Sequence, residues 1–128
     1  MTENADLRNI RISPSSRIIV DEIMQTNFFE NMADVWNFAA GYMIKHHFDV
    51  NNPNYELSLG NYNADDNQTG GNLAVSTLDP NNRWHSLLGV LLDTDTPYKY
   101  LQDMIEKGLH EIKREMKNNL SKFIAEEV

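Results

Sequence analysis

The segment 32–47 constrains the fold most, because its helical pattern is apolar on nearly every side. Within its core, VWNFAAGYMIKHH, only Asn37 and Gly41 interrupt the apolar residues before a basic end. In a protein surrounded by water, such a helix has to lie at the centre of its domain, covered by other elements. Ala39, Ala40 and Gly41 are small enough to let another backbone approach closely. The sequence therefore predicts a mainly helical fold built around this segment.

A short β-strand is predicted before this helix, over residues 7–13. Ile10 and Ile12 would point to one face of the strand. The polar side chains Asn9, Arg11 and Ser13 would point to the other. Serine followed by proline at positions 13 and 14 then favours the start of a first helix, which we expect to run to about residue 26.

Two further helices are predicted in the C-terminal third. The third helix is short and lies in RWHSLLGVLLD, and the final helix runs from about residue 97 to about residue 124. Gly108 lies on the apolar stripe of the final helix, where a close helix crossing would leave no room for a side chain. Between the second and third helices, residues 48–80 form a long Asn- and Gly-rich loop, with short extended pieces near 55–59 and 73–77.

These elements predict a single domain over residues 1–128, with one N-terminal strand and four helices. It comprises a strand–helix–helix unit at 7–47, the loop at 48–80 and a C-terminal helical pair at 81–126. A lone strand is unstable unless its backbone groups are paired. Since no strong second strand follows nearby, we expect the strand to pair with that of a second copy, which predicts a homodimer or higher oligomer.

Composition limits the classes of function. The chain has 128 residues and no cysteine, which excludes a disulfide framework and a thiolate metal site. No apolar run approaches the roughly 18 residues needed to span a membrane, and the polar N-terminus predicts a cytoplasmic protein without membrane contact. The net charge is −8, and residues 18–80 hold nine acids against one lysine. Such a chain is a poor general binder of nucleic acid, although its two ends are nearly neutral.

Catalytic and metal-binding patterns are weak. His46, His47 and Asp49 could offer ligands, and so could His85 and His110, but no two histidines share one helix face at the i, i+4 spacing. No nucleophile elbow or phosphate-binding glycine loop is present. We therefore expect a non-enzymatic protein with no metal and no cofactor.

The order of a strand, a Ser-Pro helix start, a short turn and a second helix over residues 7–47 resembles a ribbon-helix-helix unit. In that family two copies form an antiparallel ribbon that lies in the DNA major groove. The resemblance implies that Asn9, Arg11 and Ser13 read bases, and that the helix start at Asn31 contacts a phosphate. Some basic surface near Lys113 and Lys117 would supply further phosphate contacts.

Two segments, FFENMADVWNFAAGYMIKH and YLQDMIEKGLHEIKREM, are also similar to small proteins encoded beside bacterial DNA phosphorothioate-modification (Dnd) and phage-defence genes. Two functions are therefore expected. The first is a DNA-associated accessory or regulatory protein of such a system. The second is an adaptor that binds another protein of the system and does not contact DNA, which the acidic segment 18–80 favours.

Overall fold

The computed structural model describes residues 6–47, 70–116 and 119–127, and within them the fold is mainly helical, as predicted. The elements, in chain order, are β1 (Asn9–Ile12), α1 (Pro14–Met24), α2 (Met32–His47), β2 (Gly71–Ala74), α3 (Val75–Leu78), α4 (Arg83–Leu91), α5 (Pro97–Glu115) and α6 (Leu120–Glu127). No helix in these ranges is both long enough and apolar enough to cross a membrane.

Helices α1 and α2 begin where the sequence predicts. The side chain of Ser13 accepts a hydrogen bond from the backbone N–H of Ser16 at 3.1 Å, and Pro14 is the first helical residue. Asn31 accepts a hydrogen bond from the backbone N–H of Asp34 at 3.0 Å and so caps α2. The bounds of α2 agree with the prediction, whereas α1 ends two residues early.

Helix α2 lies at the centre and packs mainly on α5. Its fully buried residues include Val35, Trp36, Ala39 and Ala40. The two helices cross at Gly108, where an added Cβ would lie 2.8 Å from the carbonyl carbon of Ala39. The predicted close crossing at this glycine is therefore confirmed, and it holds the two longest helices together.

Strand β1 has a partner within its own chain, so the prediction of a lone strand was wrong. It pairs antiparallel with β2 in a two-stranded sheet. The register places Asn9 opposite Ala74 and Ile12 opposite Gly71. Part of the predicted loop, residues 71–78, is thus a strand and a short helix. Residues 48–69 lie outside the described residues.

The C-terminal part contains three described helices instead of the predicted pair. The expected final helix is divided, since α5 ends at Glu115 and α6 begins at Leu120. Asn119 accepts a hydrogen bond from the backbone N–H of Lys122 at 3.0 Å and so provides a new helix cap. Helix α4 begins at Arg83, the first residue of the segment RWHSLLGVLLD in which it was predicted.

Candidate functional site

The sheet formed by β1 and β2, which we call the ribbon, has one apolar face and one polar face. Directly opposite residues of an antiparallel pair project to the same face. Ile10 and Ile12 on the apolar face are fully buried. On the same face, Gly71 of β2 packs against the ring of Trp36, so that a Cβ added to this glycine would lie 3.2 Å from a ring carbon. The opposite face carries the polar side chains Asn9, Arg11 and Asn72, of which Arg11 is half-buried and the asparagines are exposed.

Both edges of β1 are hydrogen-bonded within the chain. On one edge, the carbonyl oxygen of Ile12 accepts from Gly70 N at 2.7 Å and that of Arg8 accepts from Val75 N at 3.0 Å. On the other edge, Arg11 N donates to the Gln102 side chain and Ser13 N donates to that of Glu106, each at 3.0 Å. A second copy would have to displace these α5 side chains to pair with β1, so the ribbon here forms within one chain.

Ser13 does not lie on the ribbon face. Its hydroxyl donates to Glu106 Oε2 at 2.7 Å and also caps α1. This hydrogen bonding places the side chain at the junction between α1 and α5. Ser13 thus has a structural role at this junction, and its contact with DNA bases stays a prediction.

The Ser13 junction also contains a serine–histidine–carboxylate group. Ser16 Oγ lies 3.1 Å from His110 Nε2, and Glu106 Oε2 lies 3.4 Å from the same nitrogen. In a catalytic triad the carboxylate holds one ring nitrogen while the other faces the nucleophile. Because the serine and the carboxylate share one nitrogen here, the arrangement is not that of a triad.

The other predicted DNA contacts do not join the ribbon. Asn31 uses its side-chain oxygen to cap α2. Lys113 forms an ion pair with Glu22 at 2.9 Å, near the end of α1 that lies away from the ribbon. Lys117 lies outside the described residues. Of the six predicted residues, Asn9 and Arg11 therefore share a face, and that face also includes Asn72.

Three arginines lie in or beside the ribbon. Arg8 is exposed and directly precedes β1, and Arg11 lies within it. The guanidinium of Arg17 donates to the carbonyl oxygen of Gly70 at 3.0 Å and forms an ion pair with Asp21 at 3.0 Å. Three of the eleven Lys and Arg residues of the chain thus lie at this end, and one of them is paired with Asp21.

Asn72 was not predicted as a site residue, because it lies in the segment that was expected to be a long loop. The available signal was the pair Asn72–Leu73, a short polar–apolar alternation at the edge of the extended piece expected at 73–77.

Comparisons with protein-family models, with curated proteins and with solved structures find no match to this chain. The function has to be inferred from the chain's own residues.

Proposed function

We propose that the protein is a non-enzymatic, DNA-associated accessory or regulatory protein that binds duplex DNA through the polar face of the ribbon. The observation that carries the proposal is the pairing of Arg11 with Asn72 on that face, next to Asn9. Arginine is the usual bidentate partner of guanine, and asparagine that of adenine. Two-stranded antiparallel ribbons fit the DNA major groove.

The distribution of charge supports an approach by the ribbon end. The net charge of −8 repels the phosphate backbone, so non-specific electrostatic binding to DNA is weak. Among the described residues, Arg8, Arg11 and Arg17 lie in or beside the ribbon, where Asp21 pairs with Arg17 and Glu106 lies at the edge of β1. DNA would therefore meet the ribbon first, and the acidic remainder would stay away from the duplex.

The setting that we propose is a bacterial DNA-modification or phage-defence system in the cytoplasm. Support comes from the similarity of segments 28–46 and 100–116 to small proteins of Dnd and related clusters. Most of the first segment lies in α2 and most of the second in α5, the helix pair that crosses at Gly108. The resemblance thus concerns the central helices, and the ribbon would supply the contact with DNA.

Fluorescence-anisotropy titration of duplex DNA over a series of salt concentrations tests the proposal. We expect binding of the wild-type chain to weaken as salt rises, because phosphate contacts release counterions. Arg11→Ala and Asn72→Ala should each cost about 1–3 kcal/mol of binding free energy on a preferred sequence. Lys122→Ala on α6 removes an exposed cation away from the ribbon and is the matched control.

Two results would contradict base recognition by the ribbon. An equal loss of affinity in Arg11→Ala and Lys122→Ala would show that only overall charge matters. Absence of binding at low salt, where electrostatic attraction is strongest, would exclude DNA as the ligand.

The second candidate function is an adaptor that assembles with proteins and does not contact DNA. The acidic segment 18–80 favours it. Separately, an exposed apolar patch on α4 suits self-assembly: Leu87, Val90 and Leu91 are 44%, 82% and 37% exposed. Residues at the i, i+3 and i+4 positions lie on one side of the helix, and such patches are typical of protein interfaces.

The charges beside the patch indicate what covers it. Arg83 precedes the patch and Asp93 follows it, and both residues are exposed. Two antiparallel copies of α4 would place Arg83 of each copy near Asp93 of the other, so we propose a second copy as the occupant.

A further inference from the structure

Three possible metal ligands converge where the end of α2 meets α5. His47 Nε2 lies 2.8 Å from Glu115 Oε1 and 3.6 Å from Glu111 Oε2. Glu111 and Glu115 are four residues apart on α5 and therefore share one helix face. Helices α2 and α5 run in the same direction from their crossing at Ala39 and Gly108, which brings the last residue of α2 to these two acids.

The surroundings of this group are partly closed. The side chains of His47, Glu111 and Glu115 are 17%, 28% and 29% exposed. The hydroxyl of Tyr42, a buried residue of α2, donates to the second carboxylate oxygen of Glu115. Burial alone would raise the pKa of Glu115, but hydrogen bonds from Tyr42 and His47 hold that pKa below its ordinary value. Glu115 Oε1 is directed at His47 Nε2, and a metal ion would replace the proton of the hydrogen bond between these two atoms.

The spacing of the donor atoms suits a small dication. Zinc bound at about 2.0–2.2 Å from nitrogen and oxygen ligands has those ligands roughly 3–3.5 Å from one another. The two distances from His47 Nε2, 2.8 and 3.6 Å, lie at either side of that range. Two carboxylates and one neutral imidazole also balance the charge of a divalent ion. Three protein ligands leave a position for water, as in open zinc sites.

We propose that His47, Glu111 and Glu115 bind a divalent transition-metal ion, with Zn²⁺ as the best match to one imidazole and two carboxylates. The hydrogen bond from Tyr42 to Glu115 makes Tyr42 a positioning residue that fixes the orientation of this ligand. The proposal does not depend on DNA binding, since the site is built from the ends of α2 and α5 and not from the ribbon.

Arg114 is the group that competes with a metal ion. Its guanidinium forms an ion pair with Glu111 and lies 3.5 Å from Glu115 Oε1. The Arg114 side chain is 67% exposed, so it can turn into water when a metal ion takes the Glu111 oxygen. If no metal binds, the same groups form an ion-pair network that fastens α2 to α5. Metal affinity distinguishes the two roles.

Isothermal titration of the full, tag-free chain with Zn²⁺, after treatment with a chelator, is the first experiment. We expect one equivalent of Zn²⁺ to bind and to raise the unfolding temperature, because the ion binds the folded state. Titration with Co²⁺ should produce visible absorption from a metal held by protein ligands. His47→Gln and Glu111→Gln should each weaken binding by at least about tenfold, and Tyr42→Phe by about 10–100-fold.

His85→Gln is the matched control, because His85 is exposed and lies on α4, outside the cluster. This variant should bind Zn²⁺ as the wild type does. Absence of one-to-one binding by the wild-type chain would overturn the proposal whether or not any variant folds. Binding that survives in both His47→Gln and Glu111→Gln would overturn it as well, since the ion would then be held elsewhere.

Discussion

Asp103 is a buried acid in an unfavourable environment. It lies on α5 and is 4% exposed, and its Oδ2 has no hydrogen-bond partner within the described part of the chain. Burial raises the pKa of Asp103 to about 6; the positive charge of Lys107 offsets this in part and Glu106 adds to it. The ionised carboxylate therefore destabilises the folded state at neutral pH.

Asp103→Asn should stabilise the protein at neutral pH. An aspartate in the unfolded chain has a pKa of about 3.9, which is lower than that of Asp103 in the folded protein. The folded state therefore binds the carboxyl proton of Asp103 more tightly than the unfolded state does. The stabilisation of the folded state by protonation of Asp103 is fully present below about pH 4 and is lost as the pH rises through about 6. We expect the variant to match the wild type near pH 4 and to exceed it by about 1–3 kcal/mol at pH 8. Urea unfolding at several pH values measures this difference.

The control for Asp103 is Asp95→Asn, because Asp95 is exposed. This variant should follow the wild-type dependence of stability on pH. If Asp103→Asn also follows it, the carboxylate is not destabilising in the folded state.

At the scale of the elements, the N-terminal backbone N–H groups of two helices donate hydrogen bonds to carboxylates that lie outside the helix. Asp79 accepts from the backbone N–H groups of Trp84 and His85, each at 3.0 Å, and from the Tyr98 hydroxyl at 2.9 Å. Burial, together with this hydrogen bond and the charge of Asp79, raises the pKa of Tyr98 to about 12. Asp6 accepts from Tyr98 N at 2.9 Å and from Lys99 N at 3.1 Å. The start of α4 is thus capped by a nearby residue of the chain, whereas that of α5 is capped by Asp6, which lies 92 positions before Tyr98.

The glycines of α2 and α5 should respond in opposite ways to the same substitution. A Cβ at Gly108 would lie 2.8 Å from the Ala39 carbonyl carbon and 3.1 Å from Met43 Cγ, whereas one at Gly41 has no such neighbour within 4 Å. We expect Gly108→Ala to destabilise the protein by about 1–3 kcal/mol through overpacking. Gly41→Ala should stabilise it by about 0.5–1 kcal/mol through helix propensity.

Chemical unfolding of the two variants checks this pair, with far-UV circular dichroism to confirm that each retains its helices. A gain of stability in Gly108→Ala would contradict the close crossing of α2 and α5 at Gly108, and a loss in Gly41→Ala would contradict the open space at Gly41.

At the scale of the whole molecule, self-association would use α4, because the backbone edges of β1 are occupied. We expect the wild-type chain to form a dimer in sedimentation analysis at high concentration. Leu87→Ser combined with Val90→Ser removes two exposed apolar side chains of the patch and should leave a folded monomer. Ile18→Ser on α1, which changes a residue that is 63% exposed, is the matched control and should remain dimeric. A wild-type chain that stays monomeric would exclude this interface.

Features that depend on neighbouring residues could be predicted from the sequence alone. The apolar character of α2, the serine cap of α1, the alternation in β1 and the glycine on the α5 stripe were all predicted and are all present. Each of these signals is local, because it depends on side-chain direction and cap chemistry within a few residues.

Only the tertiary structure decided which distant groups meet. The edge of β1 is covered by Gln102 and Glu106, whose hydrogen-bonded partners lie 91 and 93 residues earlier in the chain. The cluster of His47, Glu111 and Glu115 likewise forms because α2 and α5 run in the same direction from their crossing at Gly108. Any carbonyl or carboxylate can satisfy a backbone N–H group, so local sequence does not specify the partner. Packing of the helices selects it.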